Sequence, residues 1–397
     1  MSQEVKQSIV RRRTWRSLQR RNYSLLSKML DECFNDNLRR MTLDTRAFLL
    51  KAISSPQAAR MFLDRLPDVL VRCNEDIYDL PLAAEAYAYV HLVDRYCRWW
   101  QVFLLLLQGG RFPIRRSGIH ALDVGAGPGP ATYALMDFGR AINEIALLFP
   151  RGHEIGQLYA PPPTVELAEA SPAMSSFVHQ LSEERGRGGP YGASIRDFYG
   201  LRILRSKHEN AQYKEQLIRG ILDQDEISYE WAARLLQEEN PGWHLPERYH
   251  LGMVGNFLTT PDSMAESREA LSHIKQVLPP GGMVLVMGGR GRLYPMIYAE
   301  LEEVMSGLRH AWRNREMCTQ LTPPQLIFTK GYICSIKAHL QSFGIDVHGI
   351  SQEWPSNIRD AYHRWWNPNA PFVQQKFSVQ LFRRPDGHAV KIDRRKR

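Results

Sequence analysis

Short apolar runs alternate along this chain with stretches whose apolar residues recur every three to four positions. His120-Ala121-Leu122-Asp123-Val124 lies in a first predicted strand spanning 119–126. An amphipathic run from Ala131 to Leu148 follows and stops before Pro150, the pattern of a helix ended by proline. Thr164-Val165-Glu166-Leu167-Ala168-Glu169 predicts a second strand closed by an acid. The next helix then opens with Ser171 as N-cap and Pro172 in its first turn. Tyr249 to Thr260 predicts a fourth strand and the loop beyond it, and Asp262 to Leu278 a helix broken by Leu278-Pro279-Pro280-Gly281-Gly282. Met283-Val284-Leu285-Val286-Met287 predicts a fifth strand. Tyr332 to Phe343 predicts a helix, Gly344 to Ile350 a sixth strand, and the alternating Phe377-Ser378-Val379-Gln380-Leu381-Phe382 a seventh. The order is that of an open α/β sheet, in which ligands meet the carboxyl ends of the strands.

Residues 1–115 read differently. Leu25, Leu26, Met29 and Leu30, then Ala58, Met61, Phe62 and Leu66, then Ala84 through Tyr96 all follow the helical period. Trp99, Trp100 and the apolar run Val102–Leu107 continue it, and Gly109-Gly110 closes the helix as a left-handed cap. The two tryptophans sit inside the apolar period and are expected in the core. The chain thus divides into a helical N-terminal domain with a basic N-terminus (1–115), an α/β domain (116–385) and a basic tail (386–397). Residues 183–247 look like an insertion: Glu183 to Gly192 is rich in glycine and charge, and polar helical segments follow.

The candidate chemistry sits at Asp123-Val124-Gly125-Ala126-Gly127-Pro128-Gly129-Pro130, between the first strand and its helix. A dinucleotide loop wants G-x-G-x-x-G, but Pro130 and Thr132 stand where the last glycine would be. No G-K-[ST] is present, which excludes a phosphate-cradling P-loop. What remains is D-x-G-x-G-x-G. Its glycines let backbone approach a ligand without Cβ clashes, and its N–H groups with the helix end suit a carboxylate.

This loop resembles the first motif of class I S-adenosylmethionine-dependent methyltransferases, over about residues 115–385. The resemblance implies a Rossmann-like seven-stranded methyltransferase sheet, S-adenosyl-L-methionine as cofactor, and Asp123, Gly125, Ala126, Gly127 and Gly129 as its loop contacts. Glu169, with Ala170 beside it, matches the second motif, where the acid holds the two ribose hydroxyls; one carboxylate can accept from both. The gap from Asp123 to Glu169 is longer than usual. Asp197 and Asp223 are open candidates for the adenine-contacting acid. Asn256, in Asn-Phe-Leu-Thr after the fourth strand, stands at the fourth motif and either orients substrate or satisfies backbone. The motif lacks the Asn/Asp-Pro-Pro-Tyr/Phe of enzymes that methylate base amines, and there is no Pro-Cys pair for cytosine C5. A narrower likeness, carried by Ala-Tyr-Ala-Tyr, Asp-Arg-Tyr and Ala-Leu-Asp-Val-Gly-Ala-Gly-Pro-Gly, is to the small-ribosomal-subunit-associated methyltransferase-like family. That family's metal-binding cysteine cluster is absent, and Met287-Gly288-Gly289 replaces its Glu-Pro-Gly.

Charge and cysteines bound the partners. Of the net +9, residues 1–30 carry eight Lys/Arg against one acid and residues 383–397 seven against two, leaving 31–382 at −3. Basic ends suit a polyanion such as RNA or the ribosome; solvated tails are the alternative. Arg11-Arg12-Arg13-Thr14-Trp15-Arg16 also fits an organellar transit segment, which would place the protein in a matrix rather than the cytoplasm. No apolar h-region follows the basic start and no run approaches the ~20 apolar residues of a membrane helix, so neither secretion nor a membrane is expected. The five cysteines are widely spread without a C-x-x-C pair, and no metal site is expected. Arg290-Gly291-Arg292 after the fifth strand either touches an anionic substrate or is solvated. His363-Arg364-Trp365-Trp366-Asn367-Pro368 either stacks bases or packs a loop. No residue is an assured general base, since His250 and His273 also suit the core or the surface, and no catalytic residue is assigned. Three functions stay open: an RNA or ribosome methyltransferase, a small-molecule biosynthetic methyltransferase, and a catalytically silent methyltransferase-like assembly factor.

Overall fold

The structure is a computed structural model, and it describes residues 20–71, 78–114, 118–186, 195–197, 249–255, 258–319, 321–365 and 376–385. Among these residues, helical segments come first: α1 (Arg20–Ala52), α2 (Pro56–Val71), α3 (Ala83–Tyr87), a π-helical turn (Ala88–Leu92) and α4 (Val93–Gln108). The α/β part then runs β1 (His120–Val124), α5 (Pro130–Leu147), β2 (Thr164–Ala168), α6 (Pro172–Arg185), β3 (Ile195–Asp197), β4 (Leu251–Gly255), α7 (Pro261–Val277), β5 (Met283–Gly288) and α8 (Tyr294–Val304). It closes with β6 (Arg309–Cys318), α9 (Pro323–Ser342), α10 (Val347–Gln352), α11 (Ser356–Trp365) and β7 (Lys376–Arg383).

The strands lie in the order β3-β2-β1-β4-β5-β7-β6. β2 pairs with β3, β1 with β4 and β4 with β5 in parallel, while β7 runs antiparallel to β5. Strand order turns back between β1 and β4, where Val124 faces Val254. The carboxyl end of that pair is the switch point at which open α/β sheets bind ligands. β4 and β5 are buried almost throughout, which is why they read as unbroken apolar runs.

By contacts the chain forms two compact units: Met1–Ile119 with Gly125–Asp197 and Met317–Lys376, and His120–Val124 with Phe198–Glu316 and Phe377–Arg397. The core of the first is aromatic. Trp99 and Trp100 are buried as expected, and the Trp100 ring lies 5.2 Å from both Phe34 and Phe138. Gly110, at φ +61, supplies the left-handed residue that ends α4. α9 joins this core from far along the chain: its Tyr332 packs 5.8 Å from Tyr89, and Gln325 Nε2 donates to Asn35 Oδ1 at 2.7 Å. In the second unit the β4–β5 layer is sealed by Leu271 and Ile274 of α7 and by Ile297 and Leu301 of α8.

The C-terminal third departs from expectation. The sixth strand is not Gly344–Ile350 but Arg309–Cys318. Gly344 ends α9 at φ +74, and the Asp346 side chain accepts from the His348 N–H at 3.1 Å, so this segment starts a short helix. His363 lies on α11 rather than on a loop, and 366–368 fall outside the described residues. Asn256, Asp223, residues 1–19 and 386–397 of the basic ends and most of 183–247 also fall outside them.

Candidate functional site

The loop after β1 is built by its backbone. Gly125, Gly127 and Gly129 take φ of +60°, +53° and +79°, which explains glycine at alternate positions. The Gly125 N–H donates to Ala168 O at 2.9 Å, fastening the loop to the end of β2. Gly129 N–H closes on Ala126 O at 3.0 Å, and Gly129 itself caps α5, with Pro130 in the first turn. Ala126 is buried and Gly127 half-buried.

Glu169 stands just past β2 and meets this loop directly. Its carboxylate accepts the Gly127 N–H at 2.6 Å through one oxygen and the Ser171 N–H at 3.0 Å through the other. These two donors hold the carboxylate at the mouth of the loop. A carboxylate is a group that can accept from both hydroxyls of a ribose, so the residue type fits that ligand. Ser171 is the N-cap of α6, accepting from the Met174 N–H at 3.2 Å, with Pro172 behind it, as expected. Ala170 is exposed beside Glu169. Gly125, Ala126, Gly127, Gly129, Glu169 and Ala170 are therefore gathered within one unit. Asp123, only 2% exposed, lies in β1, one residue before its end, in the other. Asp197 closes β3, the strand next to β2.

Three more residues belong to this neighbourhood. The Ser171 hydroxyl donates to Asp79 at 2.7 Å. A Cβ placed on Gly127 would meet Tyr87 Cε1 at 3.7 Å, so the Tyr87 ring edge borders the loop. Arg95 lies over that ring, 4.9 Å from its centroid, and donates to the Tyr87 hydroxyl. The chain enters α3 through Leu82 at φ +62, a strained conformation for leucine, and leaves it through the π-helical turn. Behind Tyr87, burial and then Arg95 hold the His91 ring well below the usual histidine range. Sequence alone gave no sign of these contacts, because Tyr87 and Arg95 sit inside an ordinary helical period and Asp79 in a turn.

In the second unit, Gly288 and Gly289 end β5 beneath two tyrosines. A Cβ on Gly289 would stand 2.6 Å from the Tyr294 ring and one on Gly288 2.8 Å from the Tyr298 hydroxyl. That hydroxyl donates to Gly289 O at 2.8 Å. Arg290, in the loop beyond, pairs with Glu316 at 3.0 Å. His250 is not placed as a base: its Nδ1 accepts the His120 N–H at 3.0 Å, at the amino ends of β1 and β4. The His273 side chain lies outside the described residues. Among the described residues no group of His, Cys, Asp and Glu could hold a metal ion, and no helix is long and apolar enough to cross a membrane.

No protein-family model matches the chain, and no curated protein does. Solved structures do. A putative sarcosine dimethylglycine methyltransferase from Galdieria sulphuraria is 14% identical over 79% of this chain and 91% of its own, with a TM-score of 0.36. The [4+2]-cyclase SpnF is 13% identical over 74% and 82%, also at 0.36. A geranyl diphosphate C-methyltransferase from Streptomyces coelicolor A3(2) is 10% identical over 80% and 87%, at 0.34. Likenesses this distant carry no weight for substrate or mechanism. Strand order β3-β2-β1-β4-β5-β7-β6, the triple-glycine loop after β1 and the acid after β2 together give the Rossmann-like sheet that the resemblance to class I S-adenosylmethionine-dependent methyltransferases implies.

Proposed function

We propose that the protein is an S-adenosylmethionine-dependent methyltransferase whose acceptor is RNA or a ribosome-associated substrate. One observation carries the cofactor assignment: the Glu169 carboxylate is held against the glycine loop by the Gly127 and Ser171 N–H groups, an acid type and position that suit a vicinal diol. When bound, the cofactor supplies a methyl group already activated on a sulfonium centre, so that catalysis rests on positioning. The protein's part is then to bind and orient. Gly125, Gly127 and Gly129 present backbone without side chains, and Glu169 would hold the ribose. Arg95, fixed against Tyr87 beside Gly127, brings positive charge to the loop, which would suit an anionic group of a bound cofactor. The resemblance also assigns Asp123 and Asn256 to cofactor contacts, with Asp197 and Asp223 open as the adenine-contacting acid. The RNA preference rests on the basic ends, eight Lys/Arg against one acid in 1–30 and seven against two in 383–397.

Calorimetry with S-adenosylmethionine tests the cofactor. The wild type should bind, Glu169→Ala should bind at least tenfold more weakly, and Gly127→Arg should not bind. Unchanged binding by either variant overturns the assignment. Labelled methyl transfer into cell extract, split into RNA and small-molecule fractions, tests the acceptor. Label in RNA is the expected result; label in small molecules makes this a biosynthetic enzyme, and cofactor binding without transfer makes it a silent assembly factor.

A further inference from the structure

The Ser171 hydroxyl is held from two sides. It accepts the Met174 N–H at 3.2 Å, which caps α6, and it donates its own proton to Asp79 Oδ1 at 2.7 Å. A cap needs only the acceptor half of a hydroxyl, and the proton is free to go to water. Here it goes to a carboxylate 92 positions earlier in the chain. Asp79 is exposed, so burial does not compel this pairing. The turn that carries Asp79 is itself pinned. The Tyr78 ring meets the Tyr87 ring edge-on at 5.5 Å, the Ala83 N–H donates to Leu80 O at 3.0 Å, and Arg65 of α2 donates to Pro81 O at 3.4 Å. The turn ends in Leu82 at φ +62, a conformation that a leucine keeps only where its surroundings over-determine it. On its backbone side, Ser171 donates its N–H to one Glu169 oxygen at 3.0 Å, and the other oxygen holds the Gly127 N–H at 2.6 Å. Asp79, Ser171, Glu169 and Gly127 thus form one run of hydrogen bonds inside the first unit, from the turn before α3 to the glycine loop.

We infer that Asp79 is a positioning residue for the Glu169 carboxylate: it fixes Ser171 from the hydroxyl side, so that the Ser171 N–H keeps Glu169 set for the ribose hydroxyls. The reason is geometric. Ser171 stands outside the helix it caps, at φ −83 and ψ 117, and its N–H points wherever that extended backbone points. A hydroxyl held by both Met174 and Asp79 locks the side chain in one rotamer, and the backbone with it. Hydrogen bonds weaken steeply as their angles close, so a small rotation of Ser171 loosens the carboxylate. Asp79 acts only through Ser171 in this scheme. The inference rests on the reading of Glu169 as the ribose acid. An Asp79 that merely tethers its turn to α6 would change stability and leave ribose recognition as it was.

Calorimetry of the full chain with S-adenosylhomocysteine and with its 2′,3′-dideoxy counterpart tests this. Asp79→Ala should weaken S-adenosylhomocysteine binding about fivefold, the scale of one net hydrogen bond. Asp79→Asn keeps an acceptor oxygen and should restore most of the affinity. Asp79→Ser is too short to reach Ser171 yet suits a turn, so it should match Asp79→Ala and serves in its place if the alanine variant unfolds. The dideoxy ligand lacks the hydroxyls that Glu169 would hold. It should bind the wild type more weakly than S-adenosylhomocysteine does, and Asp79→Ala should cost it less than about twofold. In a Ser171→Ala background, Asp79→Ala should bring no further loss, because the coupling runs through the hydroxyl. A loss that is equal for the two ligands, or that adds fully to that of Ser171→Ala, makes Asp79 a structural tether and overturns the inference. Wild-type affinity in Asp79→Ala and Asp79→Ser overturns it too, and leaves the methyltransferase reading standing. Equal wild-type affinity for the two ligands separates Glu169 from the ribose and overturns the inference while cofactor binding stands. A wild type that binds neither ligand overturns the methyltransferase reading itself.

Discussion

The cofactor loop shows how residue type records backbone geometry. Gly127 and Gly129 both sit at positive φ, but their surroundings differ. A Cβ on Gly127 has ordinary room, 3.7 Å from Tyr87. A Cβ on Gly129 would press on Val178 Cγ2 at 3.0 Å and on Tyr133 Cε2 at 3.2 Å. Gly127→Ala therefore carries only the strain of a left-handed residue, about 1–2 kcal/mol. Gly129→Ala adds overpacking of roughly 1–3 kcal/mol more. Urea unfolding should rank stability as wild type, then Gly127→Ala, then Gly129→Ala, and the reverse order for the two variants would contradict the loop geometry. At this scale the sequence is informative where conformation restricts the residue: the three glycines, the Ser171 cap and Pro172 could be read directly. It is silent where function borrows a residue that the helix would accept anyway. Tyr87 and Arg95 satisfy their helical period and touch the site without leaving a trace in it.

Between elements, the strongest polar joint is Asp137 on α5. Its carboxylate accepts from the Tyr96 hydroxyl of α4 at 2.8 Å, from Arg185 of α6 at 2.8 Å and from Arg140 at 3.0 Å. The Asp137 side chain is 0% exposed and that of Arg185 2%. Three helices are thus tied through one buried anion. Removing one partner of such a pair strands the other charge, which costs about 3–5 kcal/mol, whereas replacing both with apolar groups can be neutral. Asp137→Ala should accordingly lower unfolding stability by an amount in that range, and Asp137→Leu/Arg185→Met should recover most of it. Equal losses in the single and double variants would mean that the joint contributes little beyond packing. The joint lies on predicted helices, but its pairing depends on three-dimensional neighbours, so it cannot be read from spacing. β6 was illegible for a related reason. An exposed edge strand has no apolar period, whereas Ile345 and Val347 alternate and then prove to flank the cap of a helix.

Across the whole molecule, β1, β2, β4 and β5 were legible because burial makes them apolar runs, whereas the three-residue parallel strand β3 was hidden in the stretch read as an insertion. What could not be read was which helices share a core: α9, some 280 residues beyond α1, packs with the N-terminal helices in one unit. The same unit holds the loop and Glu169, already bonded to each other. Binding a ligand at a preformed site stabilises the fold by mass action, with little to reorganise. At a hundredfold excess over its Kd, S-adenosylmethionine should add about 2.7 kcal/mol to the unfolding free energy and raise Tm by a few degrees. ATP and NAD should give no shift, because the loop lacks the glycine pattern and the lysine that hold phosphates. Glu169→Ala should remove the S-adenosylmethionine shift while retaining a cooperative transition of its own. A shift with NAD equal to that with S-adenosylmethionine would return the loop to the dinucleotide class that Pro130 and Thr132 exclude. A shift that survives Glu169→Ala would separate the acid from the ligand and leave its two N–H contacts with a purely structural role.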